Sequence, residues 1–191
     1  MMKNMQIRKL TELGVALALA TILNFLKLYE MPQGGSVTLE MIPIIFIALR
    51  WGWKEGAFLG STYGLLQLLL GASIYYPLQA VLDYPLAYGL VGLAGLVSNL
   101  FSKGSFKVRS ILIAMATVLG ASFRFLAHVI SGVVFFGEYA PEGIDVWVYS
   151  LGYNATYMIP QIIITIIAMA LLSKGLENTS LATINKIQEV E

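Results

Sequence analysis

Apolar residues gather along this chain in six stretches separated by short polar segments. They predict helices over about Leu10–Leu28, Leu39–Leu49, Trp53–Leu70, Gln79–Leu100, Val108–Phe135 and Val148–Leu172. The second is too short to cross a bilayer alone and contains Pro43, so it is expected to be bent, tilted or shielded by its neighbours. Lys and Arg collect in the cytoplasmic loops of membrane proteins. Here Lys3, Arg8 and Lys9 precede the first stretch, Arg50 and Lys54 follow the second, Lys103, Lys107 and Arg109 follow the fourth, and Lys174 and Lys186 follow the sixth. Ten of the 12 basic residues therefore fall on one side, the exceptions being Lys27 at the outer end of the first stretch and Arg124 inside the fifth. The opposite loops carry Glu30, Glu40, Glu138, Glu142 and Asp145. The expected architecture is an all-α membrane protein, a bundle of about six transmembrane helices forming one integral membrane domain over residues 1–191, with both termini cytoplasmic.

Composition agrees, since 58% of the residues are hydrophobic and 12% charged, against roughly 25% charged in an average soluble domain. A net charge of +1 argues against a nucleic-acid partner. The absence of cysteine removes disulfides and thiolate chemistry. The N-terminal basic residues and apolar run resemble a signal peptide, but no small-residue cleavage site follows, so the run is expected to be a retained first helix.

Small residues mark faces for close helix approach: Gly56, Gly60 and Gly64 in the third stretch, Gly89, Gly92 and Gly95 in the fourth, and Ala16 and Ala20 in the first. Such faces serve either contact within the bundle or docking to another membrane protein.

Polar groups at membrane depth are costly, so each is a candidate for function. They are few: Gln79 and Asp83 in the fourth stretch, Arg124 and His128 one turn apart in the fifth, Asn154 and Thr156 in the sixth. Each also has a plain structural role open to it. Arg124 would pair with a carboxylate or helix-end carbonyls, Asp83 would cap a helix, and His128 and Asn154 would tie helices together. The outer ends of the same three helices also carry Tyr75, Tyr76, Tyr84, Tyr88, Phe136, Tyr149 and Tyr153. An interfacial aromatic belt explains some of these. It does not explain the convergent Asp83, His128 and Asn154, which inside an aromatic wall describe a small-molecule pocket. One carboxylate among aromatic faces suits a flat, cationic heterocycle and suits an anion poorly.

The segments Leu82-Asp83-Tyr84-Pro85-Leu86-Ala87-Tyr88-Gly89, Arg124-Phe125-Leu126-Ala127-His128-Val129-Ile130-Ser131-Gly132 and Tyr149-Ser150-Leu151-Gly152-Tyr153-Asn154, with 36–43 (SVTLEMIP), resemble the thiamin-specific S-components of energy-coupling factor (ECF) transporters, the ThiT family. The resemblance implies a membrane subunit that binds thiamin and joins a transmembrane coupling subunit and two cytoplasmic ATPases in the cell membrane of a prokaryote. It implies no cofactor, metal or catalytic residue. Asp83 would meet the aminopyrimidine, Tyr84, His128, Tyr149 and Asn154 would complete the polar contacts, and Phe136 would stack, with Tyr63 and Tyr76 also at the site. Ala16 and Ala20 would dock the coupling subunit, and the loop at about Glu30–Thr38 would cover the ligand. Aspartate here is one methylene shorter than the glutamate of some relatives, and the covering loop lacks tryptophan.

Other functions remain open from the residues alone. An S-component for another vitamin or precursor, such as riboflavin or a pyrimidine moiety, shares these features. A stand-alone secondary transporter would more often show internal repeats and interrupted helices. An intramembrane enzyme would need a nucleophile or metal set around His128, and one histidine with no cysteine is too little for that. No Gly-x-x-x-x-Gly-Lys-Ser/Thr loop is present to bind ATP.

Overall fold

The computed structural model describes residues 2–32, 34–101 and 105–176; Met1, Lys103, Lys186 and the polar end beyond Leu176 lie outside them, as does the side chain of Lys3. Six helices form the bundle: α1 (Met2–Phe25), α2 (Met41–Trp51), α3 (Trp53–Leu69), α4 (a helical run, 77–101), α5 (Phe106–Phe135) and α6 (Val146–Gly175). The runs Pro77–Leu100, Phe106–Phe135 and Val146–Gly175 are each long and apolar enough to cross a membrane. Between α1 and α2 lies a small antiparallel hairpin, β1 (Tyr29–Glu30) on β2 (Ser36–Val37), with Tyr29 opposite Val37.

The helices begin or end a few residues away from the apolar stretches because hydropathy reads the lipid-facing part alone. Polar turns extend α1 back to Met2, whereas its C-terminal end comes at Phe25 rather than Leu28, where the chain turns into the hairpin. The short second helix is real. At 11 residues it spans about 16 Å, and eight of those residues are buried. It touches α1, α3, α4, α5 and α6, so its neighbours rather than lipid surround it. Pro43 sits in its first turn, where a missing N–H breaks no intrahelical bond.

Glycines let α3 and α4 approach closely. A Cβ on Gly60 would strike the Tyr88 carbonyl, and one on Gly92 would strike the backbone of Gly56 and Ala57. At the opposite end from the hairpin, Glu12 of α1 accepts from Arg8 (2.9 Å), from Arg50 Nε and Nη2, and from Trp51 Nε1 (2.8 Å), while Lys9 pairs with Glu55 at 2.8 Å. These bonds tie the start of α1 to the α2–α3 turn.

The structure corrects the expectation for α1. Ala16 and Ala20, the strip offered to a coupling subunit, are 5% and 0% exposed and belong to the core. The small residues left outside are Gly14 and Ala18, on the opposite side of the helix. The sequence places small residues on both faces, and only packing against α2 and α3 selects which turns inward. Ala20→Trp should therefore overpack the bundle and lower stability by about 1–3 kcal/mol, whereas Ala18→Trp should leave the unfolding temperature in detergent near wild type. Equal stability of the two variants would contradict this packing.

Candidate ligand-binding site

α4 is not a uniform helix. It runs as α-helix over Pro77–Val81, widens to a π turn over Leu82–Leu86, returns to α-helix over Ala87–Val91 and tightens to 3-10 geometry over Gly92–Val97. Pro85 lies in the π turn and lacks the N–H that a regular helix would use. The extra residue matters for aim. In an unbroken α-helix Gln79 and Tyr88 would point about 180° apart; here Gln79, Asp83, Tyr84 and Tyr88 all line one cavity. Gly64 of α3 seats the bulge, because a Cβ there would run into Tyr84 and Pro85 backbone atoms. Asp83 accordingly lies in mid-run and does not cap a helix, contrary to one reading of the sequence.

The cavity, about 290 Å³, opens among the hairpin and the outer ends of α1, α3, α4, α5 and α6. Asp83, Tyr84, His128, Phe136, Tyr149 and Asn154, six of the residues expected at the site, line it. Tyr63 and Tyr76 do not. Tyr63 is fully buried, edge-on to Tyr88 with ring centroids 4.6 Å apart. Tyr76 is half-exposed and stacks on Phe135 at 5.4 Å. An aromatic residue near a site in sequence need not face it, because one helical position of rotation turns a ring away.

Hydrogen bonds hold the polar groups in one continuous chain. Gln79 Nε2 donates to Asp83 Oδ2 at 2.7 Å, and the Gln79 carbonyl accepts from the Tyr75 N–H. Arg124 Nε donates to His128 Nε2 at 3.2 Å. A guanidinium has no lone pair to offer, so Nε2 is the acceptor and the imidazole proton sits on Nδ1, which donates to Asp83 Oδ1 at 3.1 Å. Asn154 donates to the Ser150 carbonyl at 2.9 Å and accepts from Tyr157 Oη at 2.6 Å.

Beneath this chain lies a buried group that sequence reasoning missed. Glu40, expected in an outer loop, is 1% exposed, and its Oε1 accepts from Tyr88 Oη (3.0 Å) and Gln161 Nε2 (3.0 Å) and faces Arg124 Nη1 at 3.4 Å. Arg124 also lies 4.3 Å from the Tyr88 ring centre. The expectation that Arg124 pairs with a carboxylate holds, and Glu40 is that carboxylate. Two signals pointed to it: a guanidinium in mid-helix needs a partner, and Gln161 is a costly amide within the apolar run of α6.

This pairing decides the electrostatics. Glu40 matches Arg124, and Glu30 matches Lys27 at 2.6 Å on the rim. Asp83 remains the one unmatched charge among the described residues lining the cavity. Phe136 meets Tyr75 edge-on at 5.5 Å and Tyr139 at 6.3 Å, and Tyr149 lies 6.0 Å from Tyr153. A negative site with aromatic walls attracts a flat monocation. The hairpin covers it: Tyr153 Oη donates to the Gly34 carbonyl at 2.9 Å, and Gly35, at φ +89°, rests where a Cβ would collide with the Tyr157 ring.

The chain as a whole resembles known proteins. The family described as Thiamine transporter protein (Thia_YuaJ) matches residues 10–181. The thiamine transporter ThiT of Bacillus subtilis (strain 168) is 42% identical over 179 residues, which cover 90% of this chain and 93% of that one. The thiamine transporter ThiT of Lacticaseibacillus paracasei is 35% identical, covering 90% of each. A solved structure of ThiT from Listeria monocytogenes superposes with a TM-score of 0.83 at 27% identity, over 94% of this chain and 98% of that one. A match of this extent at family, sequence and fold level places the chain in the thiamine transporter protein family, as a multi-pass helical membrane protein.

Proposed function

We propose that this protein is the thiamin-binding membrane subunit of a vitamin importer, taking thiamin from outside the cell and passing it through an ATP-driven ECF-type complex. One observation carries the ligand: Asp83 stands as an unmatched carboxylate inside an aromatic cavity. Thiamin joins an aminopyrimidine to a thiazolium with a fixed positive charge. The aminopyrimidine donates to Asp83 and meets His128 and Asn154, Tyr149 adds a hydroxyl, and the thiazolium lies against Phe136 and Tyr84. Riboflavin carries no such cation, so the Asp83 charge favours thiamin over it.

The cavity opens beside the hairpin, at the opposite end of the bundle from Arg8, Lys9, Arg50 and Lys54. With the basic side in the cytoplasm of a prokaryotic cell, the site faces out. The coupling subunit and two ATPases supply the energy, and the side of α1 carrying Gly14 and Ala18 is open to them.

Isothermal titration of the purified protein tests the ligand, with tight binding of thiamin and none of riboflavin expected; the reverse would overturn the reading. Orientation and site are checked together on intact cells, since the native chain has no cysteine to interfere. Ser73→Cys, on the exposed cavity rim, should react with an impermeant maleimide and be slowed by thiamin, while Ser105→Cys should not react. Labelling of Ser105→Cys from outside would reverse the topology. Affinity purification from cells making the coupling and ATPase subunits should recover all three, and recovery of this chain alone would remove them as partners.

A further inference from the structure

We infer that the cavity has a second polar subsite, built by Asn24 of α1 and Gln67 of α3, that holds the uncharged hydroxyl end of the ligand. This rests on the thiamin reading above and adds to it which residues recognise the far end of the molecule.

The helices stand in an arc, α6 on α5, α5 on α4, α4 on α3 and α3 on α1. Asp83 comes from α4, His128 from α5 and Asn154 from α6, so one end of the cavity is polar through those three. Asn24 and Gln67 line the same cavity from α1 and α3, at the other end of the arc. A ligand anchored by its ring edge at Asp83 and His128 and reaching along the cavity brings its opposite end to this amide pair.

The pair is incomplete by itself. Asn24 Nδ2 donates to Gln67 Oε1 at 3.2 Å, which satisfies the Gln67 carbonyl. Gln67 is 8% exposed, and its Nε2 is buried with no hydrogen-bond partner. An amide in a membrane helix with a donor left over is costly unless something accepts from it. A hydroxyl oxygen does so.

The charge of this end argues for a neutral group. Of the two cations among the described residues lining the cavity, Lys27 is held by Glu30 on the exposed rim and Arg124 by Glu40, and the two amides bring dipoles but no net charge. An anionic end would lose its water without gaining a matched cation. The hydroxyethyl arm of thiamin is the uncharged, hydrogen-bonding end that fits.

The test compares thiamin with its analogue in which the hydroxyethyl arm is replaced by ethyl, titrated into purified wild type and Gln67→Leu. Wild type should bind thiamin about five- to tenfold more tightly than the ethyl analogue, the worth of about one hydrogen bond. Gln67→Leu should bring the two within about twofold, by weakening thiamin and not the analogue. Should Gln67→Leu fail to fold, Asn24→Ala, at a half-buried position, should narrow the same ratio by freeing Gln67 to turn away. A ratio that stays at its wild-type value in a variant still binding the analogue overturns the subsite. So does a wild type that binds both compounds equally. A wild type that binds neither overturns the thiamin reading, and the subsite with it.

Discussion

Glu40→Leu should destabilise this protein by about 3–5 kcal/mol, the cost of leaving one member of a buried ion pair without the other. Arg124 is 4% exposed and has Glu40 as its carboxylate partner; without it the guanidinium keeps only Tyr88, Gln161 and His128. The loss should appear as a large fall in unfolding temperature in detergent. The double variant Glu40→Leu with Arg124→Met should regain most of that stability, because an apolar pair of similar volume replaces the charges. Binding should not return with it, since Arg124 Nε supplies the hydrogen bond that fixes the His128 tautomer. The combination separates two roles: Glu40 stabilises by matching a charge, and Arg124 serves the site by orienting an imidazole. A single Glu40→Leu variant as stable as wild type would show that the pair does not hold the core.

Asp83→Asn should weaken thiamin binding by about 1.5–3 kcal/mol, or roughly 10- to 150-fold, the range for a hydrogen bond to a charged group. The substitution keeps the side chain's shape and removes the one unmatched charge of the cavity. It also places an amide N–H2 where either Gln79 Nε2 or His128 Nδ1 now donates, so one of those bonds is lost. The fold should survive, because Asp83 borders the cavity and is no part of the hydrophobic core. Asp83→Glu keeps the charge and lengthens the arm by one methylene, so it should bind more tightly than Asp83→Asn. Dissociation constants from titration calorimetry check both, and an Asp83→Asn value within twofold of wild type would remove Asp83 from the site.

The candidate site divides in an instructive way. Asp83, His128 and Asn154 stood out because a polar side chain among lipid-spanning residues is conspicuous wherever it falls, with no need to know what it faces. The aromatic residues were less legible. Phe136 and Tyr149 line the cavity while Tyr63 and Tyr76 turn away from it, and all four sit among similar neighbours in the chain. Gln67 drew no attention, since one amide near a helix end reads as an interfacial residue until its partner Asn24 is seen 43 positions away.

From the sequence by itself came the number of helices, the gathering of basic residues at one end of the bundle and most of the polar residues that line the cavity. Those properties depend on local runs of apolar residues and on the cost of exposing charge to lipid. The tertiary structure alone decided which face of α1 is buried, how the π turn aims Asp83 and Tyr84 into one cavity, and that Glu40 reaches 84 residues along the chain to Arg124. The reason is physical. Lipid and protein interior are both apolar, so a membrane helix has no hydrophobic stripe to say which side turns inward. Packing between small residues and the matching of buried charges settle that question, and both require the chain to be folded.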